Sequence, residues 1–545
     1  MSADHEHVAV AVSQIPEAVD VYDTTLRDGS QQEGLSLTVD DKLRVAEQLD
    51  HLGVQFIEGG WPGANPKDAE FFRRAAEGEL HLHRATLVAF GSTRKAGGRA
   101  ESDPVLADMM AARTDVVCLV AKSAEWHVTE TLRTTLAEAV DMVADSVGYL
   151  VSQGKRVFLD AEHFFDGYRA NAGFSGDVLR AAADAGAEVL VLCDTNGGSL
   201  PFDVERVVGE VRDRFNTGIG VGCHFHNDSG CAVANSLVAV RMGVTQVQGC
   251  INGYGERTGN ADLSSAIPDL TLKMGVRTIE RERLSLLTSV AHHIAEVVNI
   301  APEPHQPFVG TSAFAHKAGL HTSAIARSRD AYEHVDPDSV GNGTRFVVSE
   351  MAGRSTIALK AEQLGLSIDD SAMATVVEQL KYLEHRGYHF EVADGSLELL
   401  MRQATGWKQP YFKLESHRVI TELREDSVFV TEATVKVMVG DDRVIATAEG
   451  NGPVNALDAA MRKAIGPVYP KLAHVHLTDY KVRVLDTNRG TGAVTRVLID
   501  STDGERAWTT IGVSENVIEA SWAALADSIV FGLLQMEVPG QNRPL

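Results

Sequence analysis

Between Val19 and about Met274 the chain alternates short runs of apolar and β-branched residues with amphipathic stretches of helical length. The eight runs read VDVYDTTL, VQFIEGG, HRATLVAF, DVVCLVAK, RVFLDAEHFF, EVLVLCDTN, IGVGCHFHN and TQVQGCING. Strands separated by helices pair in parallel, and a parallel strand is covered on both faces, so its residues run apolar rather than alternating cleanly. Eight such units close most economically into a (β/α)8 TIM barrel. An open doubly wound sheet would carry a glycine-rich dinucleotide turn after an early strand, and none follows these runs.

The barrel is expected over residues 19–280, after a flexible tail of residues 1–18 whose His5 and His7 are read as exposed bystanders. The segment VNIAPEPHQPFVGTS is rich in proline and carries the chain off the barrel, so 281–410 is expected to form helical linker subdomains. From 411 to 545 the texture changes again, and an internal repeat shows. SVFVTEATVKVMV and RVIATAEG precede a helix in NALDAAMRKAIG; YKVRVLD, VTRVLIDS and AWTTIG precede a helix in NVIEASWAALADSIVFGLL. Two copies of a unit too small to bury its own apolar face pack on each other or across a dimer axis. The expected C-terminal domain is α+β, with regulation and dimerisation as its roles.

Composition narrows the function. A net charge of -25 repels phosphate, which argues against nucleic acid and against an anionic membrane as partners. No stretch reaches the roughly 18 consecutive apolar residues of a spanning helix, and five cysteines without CxxC spacing suit reduced thiols. A soluble cytoplasmic protein is expected.

The chemistry gathers at strand ends. In HFHND, which closes the seventh strand, His224 and His226 are two apart and therefore face the same way. The first strand ends DTTLRDG, and barrel strands converge at their C-terminal ends, so Asp28 approaches both histidines. One carboxylate and two imidazoles leave coordination positions open, which suits a Lewis-acid metal: Mn2+ or Mg2+, with Zn2+ or Co2+ also compatible. Beside them Arg27 is a fixed cation for an oxygen that gains negative charge. Glu162, at the end of the fifth strand, is a candidate general base, and Thr195, at the end of the sixth, offers a hydroxyl to a keto-acid carboxylate. The eighth strand leads into NGYGERTGN, whose glycines permit close backbone approach to a ligand.

DTTLRDG, HFHND, GERTGN and FAHKAGLH (Phe314 to His321) together resemble the DRE-TIM metallolyase superfamily, in particular its 2-isopropylmalate and citramalate synthase branch. The resemblance covers nearly the whole chain, because the repeated domain with its GNGPVNAL turn resembles the LeuA-type allosteric domain of that branch. Within the branch, IEGGWPGANPKD and DAEHFFDGY are most similar to the citramalate synthases, which use pyruvate. The resemblance implies Asp28, His224 and His226 as metal ligands, Arg27 at the carbonyl oxygen, Thr195 at the keto-acid carboxylate and Glu162 near the reacting carbons. It implies that His321 assists proton transfer from a helical subdomain, often of the neighbouring subunit. Where many members carry an asparagine before the glycine of GER, this chain has Tyr254. We place Tyr254 at the substrate, with Asn252 as the alternative bearer of the asparagine's role and Tyr332 as a candidate catalytic tyrosine.

The expected reaction is a Claisen condensation of acetyl-CoA with pyruvate, followed by thioester hydrolysis, in a homodimer with isoleucine as effector. The alternatives are the same chemistry on 2-ketoisovalerate, for which Trp61 would shorten the pocket, a metal-dependent lyase or decarboxylase, and a non-catalytic amino-acid sensor.

Overall fold

Eight parallel strands pair in chain order, and the last returns to the first to close a barrel. They are β1 (Asp20–Asp23), β2 (Phe56–Gly60), β3 (Thr86–Ser92), β4 (Val116–Lys122), β5 (Arg156–Glu162), β6 (Val189–Asp194), β7 (Gly220–Phe225) and β8 (Gln246–Gly249). The computed structural model describes residues 15–215, 218–317, 321, 324–325, 327–347, 354–423, 429–485 and 492–539. Residues 1–14 of the expected tail, with His5 and His7, and residues 318–320 of FAHKAGLH lie outside the described residues.

The crossover helices carry their own start and stop signals. Helix Val39–Leu52 begins at a capping box between Thr38 and Asp41 and stops at Gly53, whose φ of 101° a side chain would resist. Its buried stripe, Leu43, Ala46, Leu49 and Leu52 among others, packs against the outward faces of the strands.

Alternate residues point into the barrel. Its lower interior is apolar: Tyr22, Phe56, Val116, Phe158 and Val189 form an inner core, with Phe56 and Phe158 packed edge-on at 5.1 Å. On β2, β5, β7 and β8 the inward positions nearer the C-terminal ends are polar, at Glu58, Asp160, His224 and Gln248, all buried. This change of polarity along the barrel axis puts the chemistry at the C-terminal mouth.

The chain divides into two compact units. The first runs through Phe314 and takes in His334–Gly343; the second comprises Ala315–Glu333 and the chain from Thr344 onward. In the second unit, helices Arg354–Gln363, Asp370–His385 and Asp394–Ala404 occupy the expected linker. The repeat follows as two antiparallel three-stranded sheets. Lys413–Leu423, Phe429–Val439 and Asp442–Gly450 lead into helix Pro453–Ile465; His476–Val484, Thr495–Thr502 and Ala507–Ser514 lead into helix Val517–Gln535. The sequence reading lacks the strand Lys413–Leu423. It is mostly exposed, with Leu414 and Val419 packed against the domain core, so its alternating apolar signal is weak. Helix Val517–Gln535 is long and apolar enough to cross a membrane by composition, but Ala520, Ala524, Leu525 and Ile529 are buried in the core of this domain.

Candidate metal centre and active site

Asp28 follows β1 in a tight turn, where the amides of Arg27 and Gly29 both donate to the Thr24 carbonyl. A Cβ at Gly29 would stand 3.2 Å from Cys250 Sγ, so a side chain there would press on its neighbour. The turn places Asp28 Oδ2 3.2 Å from His224 Nε2 and 3.6 Å from His226 Nε2, with all three side chains buried. Burial alone would raise the Asp28 carboxyl, but Arg27, His224 and His226 outweigh it and hold it well below the usual carboxylate range. Burial and the neighbouring His224 push the His226 imidazole down to about 4, so it is neutral and able to act as a ligand.

The donors fit a divalent cation. Two imidazole nitrogens and a carboxylate oxygen converge, and the cavity leaves one side open. Asn260 is a candidate further donor. Asn260 bridges to His226 through the backbone, its Nδ2 donates to the Tyr254 carbonyl at 2.9 Å, and its buried Oδ1 has no partner among the described residues. A buried amide oxygen without a partner is costly unless a ligand completes it.

Arg27 is held from three sides. Its Nε donates to Glu58, its Nη1 lies 3.5 Å from Asp28, and its guanidinium stacks 3.8 Å from the centre of the Phe90 ring. Glu58 is fully buried and also accepts from Tyr22 Oη at 2.6 Å. Burial works against the Arg27 charge, but Glu58 and Asp28 more than restore it and lift its pKa above the usual value. A permanently charged planar donor is thus fixed next to the candidate metal site.

A cavity of about 650 Å3 opens over this cluster, lined by Arg27, Asp28, His224, His226, Glu162 and Thr195 among others. Glu162 is ion-paired with Lys122, and both line the cavity. Thr195 Oγ1 accepts the amide proton of His163 at 2.9 Å, which leaves its own hydroxyl proton free to donate to a substrate anion. Arg257 closes that side, donating to Asp228 and to the Thr195 carbonyl. The opposite wall is aromatic, with Trp61 packed edge-on against Phe90 at 5.5 Å.

One expected residue stands apart from this group. Tyr254 is 5% exposed within the barrel core, its hydroxyl accepts from Asn252 Nδ2 at 3.1 Å, and it does not line the cavity. Asn252 in turn donates to the Ala291 carbonyl. His321 belongs to the second unit, where its ring stacks on Tyr332 with centroids 4.0 Å apart. Sequence reasoning missed the functional surroundings: Glu58, Lys122, Asp160, Gln248 and Asn260. Each stands in a run or motif quoted above, but its place beside the site shows only once the strands across the barrel are known.

Residues 18–293 match the HMGL-like family, residues 308–387 the homocitrate synthase post-HMGL domain-like family, and residues 391–532 the LeuA allosteric (dimerisation) domain. The chain is 52% identical to an (R)-citramalate synthase of Streptomyces coelicolor, over 97% of this chain and 99% of that one. It is 51% identical to an (R)-citramalate synthase of Synechocystis over 94% of this chain and 96% of that one. It is 48% identical to an (R)-citramalate synthase of Aquifex aeolicus over 96% and 99%, respectively.

Proposed function

The chain belongs to the (R)-citramalate synthase family, on an HMGL-like barrel followed by a LeuA-type domain, and from that premise we propose how its residues divide the reaction. It is an acetyl-CoA-using C-acetyltransferase, and its keto acid on this reading is pyruvate. The observation that carries the site assignment is the convergence of Asp28, His224 and His226 next to the fixed guanidinium of Arg27.

A divalent cation held by Asp28, His224 and His226, with Asn260 as a further oxygen donor, supplies Lewis acidity toward the keto acid; Mn2+ or Mg2+ suits this donor set. Arg27 faces the oxygen that becomes an alkoxide when the keto carbon is attacked, and its planar fork, locked by Glu58 and Phe90, costs no reorganisation in the transition state. The Thr195 hydroxyl holds the keto-acid carboxylate. Glu162, positioned by Lys122, lies near the reacting carbons and serves as a base for the acetyl methyl proton, and His321, by its resemblance to the family's linker histidine, assists proton transfer. Trp61 and Phe90 form a short apolar wall that suits a methyl group better than an isopropyl group.

The second unit carries the regulation. Isoleucine, the amino acid downstream of citramalate, is the proposed effector; of the two glycine-containing segments read from the sequence, Gly450–Gly452 offers a helix N-terminus to its carboxylate, whereas Gly512–Ser514 ends the strand Ala507–Ser514 and the next helix is capped by Asn516. A cytoplasmic homodimer completes the proposal. Release of CoA thiol from acetyl-CoA in the presence of pyruvate, lost on chelation and restored by Mn2+ or Mg2+, tests it.

A further inference from the structure

We propose that Asp160 and Gln248 form a positioning relay that fixes the tautomer and ring orientation of His224, and so sets how tightly the barrel holds its cation. The inference rests on the assignment of Asp28, His224 and His226 to that cation.

Gln248 lies on β8 and Asp160 on β5, both pointing inward and both buried. The Gln248 amide bridges them to the metal site: Nε2 donates to Asp160 Oδ1 at 3.0 Å, and Oε1 stands 3.0 Å from His224 Nδ1. Nε2 also lies 3.5 Å from Gln246 Oε1, a second acceptor on the same side. A glutamine amide can be turned either way, but here only one way satisfies its neighbours. A carboxylate oxygen and an amide oxygen accept, so the amino group must face Asp160 and Gln246, and the carbonyl must face His224. His224 Nδ1 is then the donor, and the lone pair of Nε2 is directed to the side where Asp28 stands. The reversed amide would set oxygen against oxygen and press a donor on Nδ1. That moves the ring proton to Nε2, where it blocks coordination.

Histidine ligands are commonly oriented by a carboxylate or a backbone carbonyl placed directly on the second ring nitrogen. In this barrel the carboxylate is one residue removed, and a neutral amide passes its orientation on. The arrangement has a physical reason. Glu58 and Asp160 already share the floor of the site with Cys118, and burial raises the pKa of both carboxyls. A third carboxylate at position 248 would add repulsion to that pair. The amide imposes the tautomer without adding charge.

The test is Mn2+ titration by calorimetry of the metal-stripped, full-length chain, with thermal unfolding of the metal-free form followed in parallel. Gln248→Met keeps the length and loses the acceptor, so Mn2+ should bind roughly ten- to a hundredfold more weakly. Asp160→Ala should weaken binding similarly through Gln248, whereas Asp160→Asn, which retains an acceptor for Nε2, should rescue most of the affinity. This pair decides the matter where Gln248→Met does not fold. Wild-type affinity in Gln248→Met or in Asp160→Ala overturns the relay and leaves the metal site standing. Failure of the unsubstituted chain to bind Mn2+ overturns the site assignment, and the relay with it.

Discussion

His224 Nε2 faces Asp28 Oδ2 at 3.2 Å, with both side chains buried at the floor of the barrel-mouth cavity. With Nδ1 donating to Gln248, the Nε2 lone pair and the carboxylate oxygen are both acceptors, and such a pair repels unless a proton or a cation lies between. Asp28 raises the His224 pKa against the opposing effect of burial, which is the protonated solution. A divalent cation is the other, and it also uses the neutral His226 beside them.

Arg27→Lys keeps the charge and loses the fork. Removing one well-placed oxyanion donor costs about 3–4 kcal/mol in the transition state, so kcat/KM should fall by roughly 100- to 1000-fold. Glu58 is buried against Arg27, so some stability is lost as well. Steady-state kinetics and denaturant unfolding compared side by side decide the role: a rate loss no larger than the loss of folding free energy reduces Arg27 to a structural ion pair.

Trp61→Ala should lengthen the pocket. A single methylene of added room shifts discrimination by about 10- to 200-fold, so the ratio of kcat/KM for 2-ketoisovalerate to that for pyruvate should rise by at least about tenfold. An unchanged ratio would remove Trp61 from the specificity wall.

Much of this was legible in the sequence, and the gaps have physical causes. The eight apolar runs became the eight strands because parallel strands buried on both faces leave an unmistakable texture. The motifs at their C-terminal ends met because barrel strands converge there. Glu58 and Gln248 escaped because an inward polar residue inside a buried strand reads as an irregularity in an apolar run until the residue across the barrel is known. Asn260 stands in a quoted motif, yet its role depends on a backbone bridge to His226, thirty-four positions earlier in the chain, that spacing alone does not disclose. Tyr254 is expected at the substrate from its place in the motif, but it is buried in the barrel core with its Cβ next to Gly29, a contact that depends on the turn after β1.

Asp527 gives the second unit a pH dependence. Burial raises its pKa from 3.8 to about 6, only partly offset by the hydrogen bond it accepts from Ser396 at 2.7 Å. Its folded value exceeds the unfolded one, so the linked stability is fully present below the unfolded pKa and is lost as pH rises through about 6. Asp527→Asn keeps an acceptor for Ser396 and should stabilise the chain at pH 7.5 by up to about 3 kcal/mol, with no gain at pH 4. Equal effects at the two pH values in thermal unfolding would contradict this.

Isoleucine should bind the full-length chain and lower its rate. A coupling of about 1–3 kcal/mol corresponds to a 5- to 150-fold change in apparent substrate affinity. Calorimetry with isoleucine and leucine, paired with rates at saturating and sub-saturating pyruvate, reads both. No heat and no change in rate would leave the domain an assembly module.

The central claim, a metal-dependent condensation of acetyl-CoA with pyruvate at Asp28, His224 and His226, is tested most directly by thiol release across a panel of 2-keto acids. The chain should release CoA fastest per unit concentration with pyruvate, fall silent on chelation, recover with Mn2+ or Mg2+, and lose both bound metal and activity in Asp28→Ala. Full activity in the chelated chain, or a higher kcat/KM for 2-ketoisovalerate than for pyruvate, would contradict the account.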